Sequence, residues 1–158
     1  MTINEEQLLQ ARVAWGNGMI TISKAYDESG ITRARVIANR FLDNFYGFDL
    51  GLVLFKPTLS GGSQTFRPTK EGALSYFVGH DPKYPSDNGF GIQSWRDVKS
   101  ETCAAFFDGD IAMWMGWVTL IGKDGHTVKV DKSWGYKKLK NGALKIILHH
   151  SSLPYNSG

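Results

Sequence analysis

The chain has little of what stabilises small secreted proteins or anchors membrane proteins. Only one of its 158 residues is a cysteine, Cys103, so no disulfide can form within the chain. No segment reaches the roughly 18 consecutive apolar residues that a membrane-spanning helix requires. The first ten residues also lack the basic segment and apolar run of a secretory leader. We therefore expect a cytoplasmic protein with no membrane partner.

Excess charge of either sign is also missing. The 18 Lys and Arg residues nearly balance 15 Asp and Glu residues, which gives a net charge of +3, and only Lys137, Lys138 and Lys140 cluster. Domains that bind nucleic acid carry larger basic patches, so nucleic acid is not the expected partner. An anionic substrate is compatible with this charge.

Apolar residues, in contrast, are plentiful. Hydrophobic residues make up 42% of the chain and aromatic residues 13%, which excludes global disorder and allows a sizeable core. The length suits one domain that spans residues 1–158.

The first third of the chain has helical periodicity. Apolar residues recur every three or four positions, and the spacing of Thr2 and Glu5 fits a capping box. This pattern predicts a long helix that ends at Gly30 and a second helix from about Thr32 to Gly47. The two helices must bury their apolar faces against another element.

The C-terminal half contains short β-rich segments separated by tight-turn signals. Three dipeptides are typical of hairpin turns: Asp108-Gly109, Asp124-Gly125 and Asn141-Gly142. They predict an antiparallel meander with strands near residues 93–107, 111–121, 127–139 and 144–152. A short strand near 52–56 and a short helix near 69–77 precede it. We expect an α+β fold in which a strongly curved antiparallel sheet wraps the helices and leaves a pocket at its mouth.

The last predicted strand ends in four polar residues, from His149 to Ser152. Side chains alternate along a strand, so Ile147, His149 and Ser151 should share one face, and His150 and Ser152 the other. Polar groups are costly to bury without partners, so this strand end predicts a polar site. In the alternative interpretation, these residues only satisfy neighbouring polar groups.

A second polar region spans residues 55–77. Pro68 and Thr69 indicate a helix start, which places Tyr76 two turns into the helix beside small residues that leave space around its hydroxyl. Thr58 follows the short strand and a proline. A core aromatic and a turn residue are the alternative interpretations of Tyr76 and Thr58.

Four segments together resemble a known family. LFKPT (54–58), FRPTKEGALSYFVG (66–79), DNGFGI (87–92) and HHSSLPY (149–155) occur in the order and approximate spacing of the iota-class carbonic anhydrases. The resemblance covers roughly residues 31–154. That family is similar in fold to the association domain of calcium/calmodulin-dependent kinase II, within the nuclear-transport-factor-2-like superfold.

The resemblance implies a cone-shaped fold that reversibly hydrates carbon dioxide to bicarbonate in a small pocket. The bicarbonate site of the family is formed by a Thr, a Tyr and a Ser, which match Thr58, Tyr76 and Ser151 here. It also implies a homodimer that works without a metal, although other members have been associated with zinc or manganese. Bulky apolar residues on both faces of the predicted strands, such as Met113 and Trp114, also favour a homodimer or larger assembly.

Hydroxyl groups can stabilise the charge that develops on the oxygens of carbon dioxide, but they are not bases near neutral pH. His149, expected on the same face as Ser151, is the candidate proton relay. Phe55, Phe77 and Trp114 are candidate apolar walls of the substrate pocket, with ordinary core packing as the alternative.

The histidines and the cysteine predict no metal site. A catalytic zinc usually has three protein ligands, and His149 and His150 should point to opposite faces of one strand. His80, His126 and Cys103 lie in separate segments. We therefore expect no cofactor, with zinc or manganese as the alternative.

Two other functions are also compatible with the sequence. A ketosteroid-isomerase-like or cyclase-like enzyme would use Tyr76 to polarise a carbonyl group and a buried Asp as the base. This function is disfavoured because Asp residues such as Asp108 and Asp131 fall mostly at predicted turns or strand ends. A non-catalytic oligomerisation module would instead associate through a sheet face that carries Trp114, Trp117 and Trp134.

Overall fold

The structure, a computed structural model, describes residues 2–158. Its helices are α1 (Glu5–Ser29), α2 (Ile31–Phe45) and α3 (Lys70–Val78). Its strands are β1 (Leu54–Lys56), β2 (Trp95–Asp108), β3 (Ile111–Gly122), β4 (Thr127–Lys138) and β5 (Leu144–Ser152). The predicted α+β class is confirmed, and the predicted elements differ from the observed ones mainly at their ends.

Helix α1 begins at a cap that the sequence analysis did not choose. The Asn4 side chain accepts a hydrogen bond from the Gln7 backbone, and the Gln7 side chain accepts one from the Asn4 backbone. The predicted capping box of Thr2 and Glu5 is therefore wrong, because Asn4 offers the same chemistry two residues later. Gly30, at φ 81°, ends α1 as predicted and leads directly into α2.

The five strands form one sheet in the order β1-β5-β4-β3-β2. The meander from β2 to β5 is antiparallel, as predicted, and its three hairpin turns lie where the Asp-Gly and Asn-Gly pairs placed them. Strand β1 departs from the prediction because it runs parallel to β5, with Phe55 opposite His149. A parallel pair needs a long connection, and here α3 and the whole meander supply it.

Strand β5 contains one extra residue opposite β4. Tyr136 pairs with Ile146 and Gly135 pairs with Leu148, so Ile147 forms a bulge. The bulge changes the alternation of side chains, and Ile146 rather than Ile147 joins the buried core. The prediction that Ile147 shares a face with His149 is therefore wrong. Downstream of the bulge, His149 and Ser151 are both buried on the inner side, as expected.

The core lies between the helices and the inner face of the sheet. Alternate residues of β3 and β4 are buried there, and Trp15 of α1 packs against Trp134 with ring centroids 5.1 Å apart. Trp114 and Trp134 belong to this buried layer, so the predicted tryptophan-rich association face is wrong for both. Trp117 is partly exposed beneath the ammonium group of Lys129. Within residues 2–158, none of the helices has the length and apolar character needed to cross a membrane.

Candidate active site

A lysine interrupts the buried face of β4. Val130, Lys132 and Trp134 alternate inward, and Lys132 is only 4% exposed. Its Nζ lies 2.9 Å from His149 Nε2 and 3.0 Å from Ser151 Oγ on the neighbouring strand. Lys132 was not among the site residues predicted from the sequence, although a lysine at an inward position of an otherwise apolar alternation was a usable signal.

The Ser151 hydroxyl also contacts Thr58, with their oxygens 2.6 Å apart. Pro57 lacks a backbone N–H and follows the last residue of β1, so Thr58 begins a turn at the strand end. The parallel pairing of β1 with β5 brings this turn beside Ser151. Lys56 reinforces the junction by donating a hydrogen bond from Nζ to the Ser151 carbonyl at 2.7 Å.

Helix α3 supplies the third predicted hydroxyl. Its first turn is capped by Thr69, and Tyr76 lies near its C-terminal end. The Tyr76 hydroxyl accepts a hydrogen bond from the Leu59 backbone at 3.2 Å. Burial raises the pKa of Tyr76 to about 12, and hydrogen bonding from Leu59 and Thr58 opposes this rise. Tyr76 therefore keeps its proton at neutral pH and can donate it in a hydrogen bond.

His149 is held at both ring nitrogens. The Tyr46 hydroxyl lies 2.8 Å from Nδ1, opposite Lys132 on Nε2, and the indole N–H of Trp15 donates to the same Tyr46 hydroxyl at 3.1 Å. Burial lowers the pKa of His149 well below its usual value, and positive charge on the nearby Lys132 lowers it further, so the ring is neutral. Any proton that passes between Ser151 and His149 along these hydrogen bonds passes through Lys132.

Tyr46 and Trp15 are further site residues that the sequence analysis did not identify. Tyr46 directly follows α2 and forms an isolated parallel bridge with Ile146, next to the bulge. Nothing local in the sequence marks either residue, because their positions depend on the packing of both long helices against β5.

Aromatic rings enclose these polar groups. Phe55 stacks on His149 with ring centroids 4.6 Å apart, and Phe77 stacks on Phe55 at 5.9 Å. Trp114 does not line this cavity, which corrects its expected role. It lies on β3 beyond Trp134, and its indole N–H donates to Thr102.

The cavity beside Lys132 is closed in this conformation. Thr58, Tyr76, Lys132 and His149 are among its lining residues, and the space between them is too small for a water molecule. A wider pocket of about 270 Å³ adjoins it and shares Tyr76 and Phe90 with it.

Sequence comparison places the chain in a family. A profile of the family described as "Metal-independent carbonic anhydrase" matches residues 6–153. The chain belongs to the metal-independent carbonic anhydrases. A protein of that description from Nostoc sp. (strain PCC 7120 / SAG 25.82 / UTEX 2576) is 46% identical over 153 residues, which cover 97% of this chain and 75% of the relative. The family confirms the expected enzyme class and the expectation that no metal is needed.

Comparison with solved structures supports the same family. The crystal structure of a cyanobacterial iota-carbonic anhydrase complexed with bicarbonate has a TM-score of 0.97 and 45% identity, covering 99% of this chain and 95% of that one. A protein assigned as a calcium/calmodulin-dependent protein kinase II association domain from Xanthomonas campestris has a TM-score of 0.59, 21% identity, and coverage of 96% and 89%. A protein assigned as a dehydratase of the nuclear-transport-factor-2-like family from Streptomyces avermitilis has a TM-score of 0.57, 13% identity, and coverage of 96% for both chains. The last two support the fold alone and confirm the nuclear-transport-factor-2-like architecture.

Potential metal ligands are dispersed in this carbonic anhydrase. Across residues 2–158, no three His, Cys, Asp or Glu side chains lie together in a group able to hold an ion. His80 bonds to the Val78 carbonyl, His126 bonds to Asp124, and Cys103 is exposed on β2.

A buried ion pair forms part of the wall of the wider pocket. Two nitrogens of Arg67 donate to the Asp87 carboxylate at 2.7 Å each, and the Ser75 hydroxyl donates to it at 2.7 Å. Both charged side chains are 3% exposed. Asp87 is the carboxylate that lines the pocket beside Tyr76, but these three donors occupy it. It is therefore not the free base that an isomerase-like reaction would need.

Replacing Asp87 with Asn should strongly destabilise the protein. The Arg67 charge would stay buried without its partner, which costs about 3 kcal/mol or more of unfolding free energy. Urea denaturation followed by circular dichroism measures this loss. Glu71→Gln is the matched control, because its pair with Lys83 is exposed and contributes little. Equal stability of the two variants would contradict the structural role of the Asp87 pair.

Proposed function

We propose that this carbonic anhydrase binds carbon dioxide and bicarbonate among the hydroxyls of Thr58, Tyr76 and Ser151. The observation that carries the proposal is their convergence. The Thr58 and Ser151 oxygens are 2.6 Å apart, and Tyr76 contacts the backbone of the residue after Thr58. The bicarbonate complex of the similar cyanobacterial enzyme supports the same ligand here.

In this proposal the substrate displaces the hydrogen bond between the Thr58 and Ser151 hydroxyls. Once the Thr58 and Ser151 hydroxyls separate, each can accept a hydrogen bond from the attacking water or donate one to a carbon dioxide oxygen. Tyr76 donates to the oxygen on which negative charge develops. The rings of Phe55 and Phe77 form an apolar wall that suits uncharged carbon dioxide.

Hydration also releases a proton that must leave the site. His149 supports the proton path in this proposal through its hydrogen bond with Lys132, whose Nζ lies between His149 Nε2 and the Ser151 hydroxyl. Both ring nitrogens are engaged by Tyr46 and Lys132, so His149 acts only in concert with Lys132.

We also propose that the enzyme is a homodimer. The outer face of β2 and β3 exposes large apolar side chains: Phe106 is 68% exposed, Met113 48% and Met115 50%. With Leu148 of β5 they line a shallow apolar depression. Exposed apolar patches of this kind mark association surfaces, and a second copy of the chain is the expected occupant.

Static light scattering at micromolar concentration should give at least twice the 17.6 kDa mass of one chain. Met115→Glu should shift the protein towards monomer, because it places a charge in the apolar contact. Val13→Glu, at an exposed position on α1, is the matched control and should leave the mass unchanged. A monodisperse wild-type monomer would contradict the dimer.

Tyr76→Phe should lower the rate of carbon dioxide hydration about 100-fold or more while the fold is retained, since it removes one donor to the developing charge. Stopped-flow hydration assays measure the rate. Tyr136→Phe is the matched control, because the buried Tyr136 hydroxyl has no hydrogen-bond partner within residues 2–158. Wild-type rates in Tyr76→Phe would refute the role of Tyr76.

Carbon dioxide hydration should survive prolonged treatment with chelators. The proposed site relies on hydroxyl and amine groups, and elemental analysis should find well under one transition metal ion per chain. Loss of activity on chelation, with recovery on adding zinc or manganese, would overturn the metal-free chemistry.

A further inference from the structure

The hydration step needs a base, and the three hydroxyls do not provide one. Lys132 is the ionisable group that touches Ser151 from inside the cavity, and it has no carboxylate partner among residues 2–158. Burial without a counter-ion destabilises the ammonium form of a lysine relative to the neutral amine.

The hydrogen bonds around His149 also indicate a neutral amine. An indole N–H can only donate, so the Tyr46 hydroxyl accepts from Trp15. The proton of the Tyr46 hydroxyl then has one acceptor within reach in the described chain, His149 Nδ1. Tyr46 is 1% exposed, so leaving that proton without an acceptor would be costly.

This arrangement fixes the ring proton of His149. Because Nδ1 accepts from Tyr46 and the ring is neutral, the proton lies on Nε2 and points at Lys132 Nζ, 2.9 Å away. An ammonium group has no lone pair and cannot accept a hydrogen bond. The contact is therefore satisfied only when Lys132 is uncharged.

We propose that Lys132 rests as a neutral amine and accepts the proton when water attacks carbon dioxide beside Ser151. This proposal rests on the proposed function of the site, to which it adds the general base. His149 is then a positioning residue that favours the uncharged form of Lys132.

The environment of Lys132 is consistent with this role. Burial lowers the pKa of Lys132 to about 7, the charge of Asp131 opposes this, and the charge of Lys56 adds to it. A base works best when its pKa lies near the operating pH. Around the amine, the titratable groups of the packed elements are Asp131 on β4, Lys56 on β1, Tyr76 on α3, His149 and His150 on β5, and Tyr46 after α2.

The step balances as follows. The water oxygen forms a bond to carbon while one C=O π pair moves to the oxygen that faces Tyr76. An O–H bond of the water breaks, and its proton reaches Nζ either directly or by exchange through the Ser151 hydroxyl. The amine turns about its Cε–Nζ bond to present its lone pair, and the products are bicarbonate and the ammonium form of Lys132.

The ammonium form is short-lived in this cavity. It has lost the hydrogen bond from His149 and now faces the Nε2–H of that ring, donor against donor. This repulsion favours transfer of the proton to solvent or buffer as bicarbonate leaves. The neutral amine is thereby restored for the next turnover.

The decisive experiment compares Lys132→Met and Lys132→Arg with the wild type. Wild-type kcat for hydration should rise with pH around a midpoint near 7, because the neutral amine is the active form. Both variants should lose about 100-fold or more of kcat, since neither methionine nor a permanently charged guanidinium accepts the proton. Bicarbonate binding, measured by ¹³C NMR, should change far less.

The arginine variant separates a base from a fixed charge. If Lys132→Arg keeps wild-type kcat, Lys132 acts only as a positive charge, and the proposal is overturned while the proposed function stands. A wild-type protein without any hydration activity would instead refute the proposed function.

NMR titration of ¹³C-labelled lysines gives a readout that does not depend on activity. The Lys132 signal, identified by its loss in Lys132→Arg, should titrate near pH 7, whereas a solvent-exposed lysine has a pKa of about 10.4. Titration of Lys132 above pH 9 would overturn the proposal even if the variants were poorly folded.

Tyr46→Phe tests the directions assigned to the hydrogen bonds that run from Trp15 through Tyr46 and His149 to Lys132. Without the Tyr46 proton, His149 can carry its own proton on Nδ1 and accept from a charged Lys132 at Nε2, so the Lys132 midpoint should move to higher pH. Tyr136→Phe, which removes a buried hydroxyl elsewhere, should leave the midpoint in place. An unmoved midpoint in Tyr46→Phe would contradict the assigned hydrogen-bond directions.

Discussion

Strand β5 pairs with two neighbouring strands that run in opposite directions, and the positions of the site residues depend on both pairings. It pairs parallel with β1 on one side and antiparallel with β4 on the other. The bulge at Ile147 allows Ile146 to remain in the core while His149 and Ser151 also face inward. Without that extra residue, the alternation would turn the two polar side chains away from Lys132.

The polar groups are held in surroundings that would otherwise exclude them. Phe55 stacks on His149, and the ring centroids of Trp15 and Trp134 lie 5.2 and 5.6 Å from Lys132 Nζ. The side chains of Thr58, Ser151, Lys132 and His149 each hydrogen-bond to another member of the group, which limits the cost of burial. Burial in the same apolar shell lowers the pKa of Lys132, so the packing of the core also adjusts the proposed base.

The features predicted from sequence are those that local patterns encode. Hairpin dipeptides such as Asn141-Gly142 placed the strands, because turn geometry depends on adjacent residues. The resemblance to a family supplied Thr58, Tyr76 and Ser151, which the structure brings together. Alternation along a strand predicted that His149 lies on the same face as Ser151.

What the sequence analysis missed depends on contacts between distant segments. The parallel pairing of β1 depends on a free sheet edge that β5 forms about 90 residues later in the chain. The cap at Asn4 is a different case, because two neighbouring positions carry similar local capping signals. Trp114 was misplaced because an inward-facing residue can belong to the core without reaching the cavity. Lys132 was the exception, since its inward position could have been predicted from the apolar residues on either side of it.

A metal-free carbonic anhydrase has to remove a proton from water at neutral pH without the help of a metal ion. A bound zinc ion lowers the pKa of its water to about 7, so hydroxide is available at neutral pH. Hydroxyl side chains have no such effect. In the arrangement proposed here, the pKa of the base rather than that of the water is adjusted, because burial lowers the pKa of Lys132 to about 7. The water then loses its proton as it attacks carbon dioxide. The base therefore has to lie close enough to accept that proton directly or through the Ser151 hydroxyl.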